Sequence, residues 1–171
     1  MIVLGIDPGT AVTGYGVVSG DRMTQSRLIE CGVIRTRAAE PLAVRLSEIH
    51  AGIVELIERH KPDALSIEDV FYARNVRTTI VLGHARGVIL LAAQNAHISI
   101  AEYPPAEIKK AVVGTGAATK QQVQFMVGRL LRLKNPPQPA DAADGVAAAL
   151  AHVMSPAILQ LGSAPSSRPL S

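Results

Sequence analysis

The sequence predicts an α/β sandwich: a mixed five-stranded sheet with helices on both faces. Three observations lead to it. Three short apolar segments follow one another across brief polar links in the first 35 residues, as in an antiparallel meander. Beyond them, strand-like runs alternate with stretches of helical apolar spacing, an order that adds parallel strands to the sheet. Near the C-terminus an Ala-rich stretch has side chains small enough for a helix pressed close to a sheet.

Ile2 to Asp7 is short and apolar, hence a buried strand. Asp7-Pro8-Gly9-Thr10 closes it as a turn, because Pro presets one φ and Gly permits a positive one. Gly14 to Ser19 and Arg27 to Arg35 read as strands around the polar turn Gly20-Asp21-Arg22. From Pro41 to His60, Leu46, Ile49, Ile53, Leu56 and Ile57 recur at helical spacing, and Pro62 stops the helix. Ala64 to Glu68 is a strand, a long helix follows from about Asn75 to Asn95, and Ile98 to Tyr103 is the fifth strand. Pro104-Pro105 opens a short helix through Val112, and 113–118 is a flexible link. Thr119 and Gln122 have capping-box spacing for a helix to about Leu131. Asn135-Pro136-Pro137-Gln138-Pro139 is a rigid linker before a last helix, Ala140 to about Met154. One domain over 1–154 is expected, with a loose tail over 155–171 from its Ser, Pro and Gly content.

The composition, 48% hydrophobic and 18% charged over 171 residues, fits a globular domain and excludes a disordered chain. Cys31 is the one cysteine, read as a buried strand thiol rather than a reactive one. No apolar run approaches the roughly 18 to 20 residues of a membrane span, and no basic segment precedes the first strand. A cytoplasmic protein with no membrane partner is expected. The net charge is only +3, but between Phe71 and Lys120 six cations face two acids. That basic middle suits either a polyanion or an ordinary solvated surface.

Four carboxylates sit in costly places. Asp7 and Glu68 each end an apolar run, and Asp141 and Asp144 interrupt the Ala-rich helix. The i, i+3 spacing puts the last two on one helix face, in the turns where the dipole favours negative charge. Each has a plain alternative: Asp7 braces its turn, Glu68 pairs with an Arg, and Asp141 or Asp144 caps the helix. If all four converge, they repel one another strongly unless cations neutralise them. Hard divalent ions prefer carboxylate oxygens, and two of them about 4 Å apart clamp the attacking and leaving oxygens of phosphodiester hydrolysis.

Other features carry less. His50, His60, His84, His97 and His152 show no metal-ligand spacing. Gly114 to Lys120 lacks the Gly before Lys that a Walker A loop needs. The helix from Thr78 to Asn95 is apolar on more than one face, so either a second subunit or the core must cover it. Phe71, one of few aromatics in the chain, reads from the sequence alone as a core ring capping its strand.

Gly5-Ile6-Asp7-Pro8-Gly9-Thr10 with Thr13-Gly14-Tyr15-Gly16 resembles the opening of the RuvC family of bacterial Holliday-junction resolvases. Ile67 to Phe71, Leu82 to Val88, Lys109 to Gly114 and Ala140 to Asp144 resemble its later motifs in order. The resemblance covers about residues 1 to 154 and implies an RNase H-like fold. It implies that Asp7, Glu68, Asp141 and Asp144 are catalytic, metal-binding acids for Mg²⁺, two ions per subunit, with Mn²⁺ as a substitute. The implied reaction is paired cutting of four-way DNA junctions in recombination and repair, leaving 5′-phosphate and 3′-hydroxyl ends. Lys109 and Lys120 match family lysines beside the scissile strand, and Lys110 is a further phosphate contact or merely solvated. Phe71 would stack on an unpaired base, with Tyr72, Arg74 and Arg77 beside it on the DNA face. A homodimer, a preference for a T-rich cleavage sequence and a partnership with the RuvA–RuvB branch-migration machinery are implied in the same way. Actin-like ATPases share the Gly5 to Thr10 turn but need two large lobes, which 171 residues cannot supply. A non-cleaving nucleic-acid module or a YqgF-type nuclease is the other alternative, and four acids give a mere DNA-binding surface no advantage.

Overall fold

β1 (Ile2–Asp7) is the middle of the sheet, and its alternation divides the protein into two layers. The structure is a computed structural model and describes residues 1–21, 25–69 and 76–155. β2 (Val12–Ser19) and β3 (Arg27–Arg35) add to one side of β1 as an antiparallel meander. β2 starts two residues earlier than expected because Val12 and Thr13 still pair with Arg35 and Ile34. β4 (Ala64–Glu68) and β5 (Ser99–Tyr103) add parallel to the other side, giving the order β3-β2-β1-β4-β5.

One face is covered by α1 (Leu42–His60) and α2 (Val76–Asn95). Leu4 and Ile6 of β1 and Leu65 and Ile67 of β4 point into this layer and meet Ile49, Ile53, Leu56 and Ile57 of α1. Lys61, in the left-handed conformation, ends α1 just ahead of Pro62. α2 buries only Ala85, Ile89, Ala92 and Ala93, and leaves Val76, Ile80 and Leu91 more than half exposed. By length and composition α2 is the one described helix that matches a membrane span, contrary to the sequence expectation. A packed inner face and an ion-paired Arg86 mark it instead as a helix of a globular domain with one apolar side uncovered.

The opposite face holds α3 (Pro105–Val113), α4 (Lys120–Leu130) and α5 (Ala140–Val153). α5 lies between the sheet and the other two helices, so nearly all of it is buried and small side chains suit it on every side. Gly5 and Gly16 pair across β1 and β2 and open a groove for it. A Cβ on Gly145 would lie 2.6 Å from the Cα of Tyr15, and one on Gly14 would run into the carbonyl of Asp141. The buried Ser66 hydroxyl donates to the Ala148 carbonyl at 2.7 Å and fixes the helix against β4.

Cys31 departs from expectation. It is only half-buried, because β3 is an edge strand whose residues are mostly partly exposed. Burial pushes its thiol pKa up, the direction opposite to activation. His152 is 5% exposed and shares a 2.8 Å hydrogen bond with Tyr103, and His60 shares one with Glu30 at 2.8 Å.

Candidate active site

The alternation that sends Leu4 and Ile6 to one layer sends Val3, Gly5 and Asp7 to the other. In β4 the same rule turns Ser66 and Glu68 toward α5, while Leu65 and Ile67 enter the opposite core. β1 and β4 are parallel neighbours with Ile6 opposite Ile67, so Asp7 and Glu68 leave the sheet side by side at its carboxyl edge. α5 begins over this edge. The missing side chains of Gly5, Gly14, Gly16 and Gly145 let it approach the sheet closely, which brings Asp141 and Asp144 down toward Asp7.

Carboxylate oxygens of Asp7, Asp141 and Asp144 lie within 4.8 Å of one another. Glu68, at the end of β4, lines a cavity with Asp7 and Asp144 but stands outside that set, and Asp141 faces the neighbouring cavity. The Glu68 cavity measures about 290 Å³, and Lys109, Lys120, Pro105, Ile108, Val123 and Ala147 complete its wall. Burial, then repulsion by Glu68 and Asp144, raises the pKa of Asp7 from 3.8 to about 7, with Lys120 opposing. Burial and Asp144 also push Glu68 up, while Lys109 and Lys120 pull it down.

Lys120 Nζ sits 2.6 Å from Asp144 Oδ2, and that bond holds the lysine's pKa above its ordinary value. Lys120 is the first residue of α4, where the helix dipole disfavours a cation. The capping box fixes it there regardless: Gln122 N–H donates to Thr119 Oγ1 at 3.2 Å, and Thr119 N–H donates to Gln122 Oε1 at 2.8 Å. Three clustered carboxylates facing one ammonium remain short of positive charge. Their hard oxygen donors fit a divalent cation, with Asp7, Asp141 and Asp144 as the residues placed to hold it.

The other sequence-predicted residues divide. Lys109 faces the acid cavity, whereas Lys110, one helical step on, lines a separate one with Tyr103, Glu107 and Met154. Arg77 opens α2 beside the Gly9–Val12 turn, in a cavity that also reaches Asp141. Phe71, Tyr72 and Arg74 lie outside the described residues, as does the stretch 156–171.

One cluster was missed by sequence reasoning. Glu68 is a candidate arginine partner by sequence, yet in the structure its neighbour Asp69 takes that role. Arg86 of α2 lies 3.3 Å from Asp69 and forms a short ion pair with Glu102 of β5. Asp69 N–H donates to the Tyr103 carbonyl at 2.8 Å, so the chain is held on both sides just after Glu68. Arg86 fell inside a motif quoted above, but nothing in one sequence signals which acids it meets.

The strand order, the helices on both faces and acids at the ends of two central parallel strands define a protein of the RNase H-like class. The family model described as crossover junction endodeoxyribonuclease RuvC matches residues 3–152. The chain is 47% identical over 154 residues to the RuvC of Desulforamulus reducens, covering 89% of this chain and 93% of that protein. The solved structure of Thermus thermophilus RuvC superposes with a TM-score of 0.84 at 36% identity, covering 95% of this chain and 97% of the other. T. thermophilus RuvC in complex with Holliday junction substrate gives the same TM-score at 33% identity, with the same coverage. This chain belongs to the RuvC family of crossover junction endodeoxyribonucleases.

Proposed function

We propose that the chain is a structure-selective endonuclease that resolves four-way DNA junctions in recombination and repair. The observation that carries this reading is the convergence of Asp7, Asp141 and Asp144 beside Glu68, Lys109 and Lys120, in a family whose T. thermophilus member has been solved with a Holliday junction. Asp7, Asp141 and Asp144 would hold Mg²⁺ or Mn²⁺, with Glu68 completing the set for a second ion. Bound divalent ions supply Lewis-acid stabilisation of charge on the phosphoryl oxygens and lower the pKa of the attacking water. Glu68 from β4 and Asp144 from α5 would hold the cations from two different elements of the fold. Lys109 and Lys120 offset charge on the scissile phosphate, and Lys120 must leave Asp144 to do so. The products are 5′-phosphate and 3′-hydroxyl ends.

Phe71, Tyr72 and Arg74 are assigned to the DNA face on family resemblance, and Arg77 on its place beside Asp141 as well. Lys110 is left as a peripheral phosphate contact, since it lines another cavity. Two copies pair through the exposed side of α2. Ile80, Leu91 and Val76 are exposed there, and Gly83 and Gly87 leave open space between them. Such pairing gives one active site to each of two equivalent strands. Residues 1–154 form the nuclease domain of a cytoplasmic protein. Cooperation with a RuvA–RuvB complex rests on family membership alone.

The test is cleavage of a synthetic four-way junction beside linear duplex in Mg²⁺, with the ends mapped. Paired nicks confined to the junction support the proposal. Equal cutting of duplex, or none of the junction, refutes it.

A further inference from the structure

Between Ile108 and Ala140 the chain carries six cations and no acid. Lys120 is the one that is ion-paired among the described residues. Three of the others, Arg129, Arg132 and Lys134, are exposed and carry no ion pair. Arg129 lies in α4, whose first residue stands in the active site, and Arg132 and Lys134 follow that helix. Gln121, Phe125 and Arg129 follow one another at four-residue steps and share the outer face of this helix. Phe125 is 61% exposed although Val123 and Val127 on the other side are buried. An exposed ring between amides and unpaired cations matches the chemistry of nucleic-acid contact, where phosphates take the charge and the ring packs on sugars or bases.

We propose that the outer face of α4, with Phe125 and Arg129 and the following Arg132 and Lys134, is a second DNA track that holds a duplex arm of the junction leading away from the scissile phosphate. This rests on the function proposed above and extends its contact surface. Two observations select DNA over a protein partner: the absence of any acid across 33 residues, and direct continuity with Lys120. At 1.5 Å per residue the eleven-residue helix is about 16 Å long, matching about five base pairs of duplex at 3.4 Å each.

The test measures junction binding by fluorescence anisotropy in EDTA, with the full chain, from 50 to 200 mM salt. Each phosphate contact contributes about 0.9 to the slope of log affinity against log salt, which is about a 3.5-fold change over that range. The double variant Arg129→Ala/Arg132→Ala is expected to flatten the slope by about 1.8 per subunit. Arg129→Lys/Arg132→Lys is expected to retain the slope. A photo-crosslinking phenylalanine analogue at position 125 is expected to form adducts with an arm of the junction. A wild-type slope in the alanine variant, or adducts only to a second copy of the chain, would overturn the inference. Linear duplex competed against the junction with wild-type protein separates the two levels. No junction preference there overturns both this track and the proposed function, whereas a normal preference with an unchanged variant slope overturns the track alone.

Discussion

Asp7→Asn should make the metal-free protein more stable, although Asp7 belongs to the active site. Its pKa rises from 3.8 to about 7 on folding, chiefly through burial and then through Glu68 and Asp144. Because the folded value is the higher one, folding takes up a proton between these two values. Stability therefore falls as pH rises through that window, and the full loss applies above it. Burying Asp7 costs about 4 kcal/mol at pH 8, where it is ionised, and about 1.7 kcal/mol at pH 5, where folding holds it protonated. An asparagine still carries a desolvated amide, so about half of this would be recovered, or about 2 kcal/mol at pH 8. For a domain of this size that is a rise of about 4–8 °C in melting temperature. Circular-dichroism melts of both proteins in EDTA at pH 5 and pH 8 measure it, and the gap should shrink to under about 1 kcal/mol at pH 5. Adding Mg²⁺ at pH 8 should then raise the wild-type melting temperature more than the variant's. A variant that melts at or below wild type at pH 8 in EDTA would refute the electrostatic reasoning.

Three further variants probe the supports of the site. Gly14→Ala forces a methyl into the carbonyl of Asp141, and we expect a loss of about 1–3 kcal/mol in urea unfolding, with cleavage impaired even where the protein stays folded. Lys120→Ala should cut single-turnover junction cleavage by about 10²–10³-fold, read against an anisotropy Kd that moves far less. Arg86→Ala leaves Asp69 and Glu102 without their shared cation, and a displaced Glu68 should slow single-turnover cleavage by about 10–100-fold. Arg86→Lys should fall between, since it keeps the charge without the planar fork. An Arg86→Ala protein cleaving at the wild-type rate would show that Asp69 needs no anchor.

Much of this was legible because backbone periodicities carry it. Ile2–Asp7 and Ala64–Glu68 read as buried strands from their apolar runs, and strand alternation then puts Leu4, Ile6, Leu65 and Ile67 in one core while Val3, Asp7, Ser66 and Glu68 face the other. The small residues from Ala140 onward announced a close helix, and the contacts of Gly14 and Gly145 give the reason. What escaped depends on how separate elements meet. Arg86 reaches Asp69 and Glu102 only because α2 crosses the ends of β4 and β5. Lys109 and Lys110 look alike in sequence, yet one helical step sends them to different cavities. The strand-like stretch around Cys31 suggests a buried thiol, but sheet order makes β3 an edge. α2 drew opposite readings from its apolar run and its mean hydropathy, and its packing and paired arginine decide between them.

The central claim is that Asp7, Asp141 and Asp144 are brought together to hold a divalent cation. Anomalous diffraction from crystals of the full chain soaked in Mn²⁺ tests it directly. The account predicts a peak bonded to carboxylate oxygens of these three residues, and its loss in Asp7→Asn crystals. An empty cluster at a Mn²⁺ concentration that supports junction cleavage would contradict it.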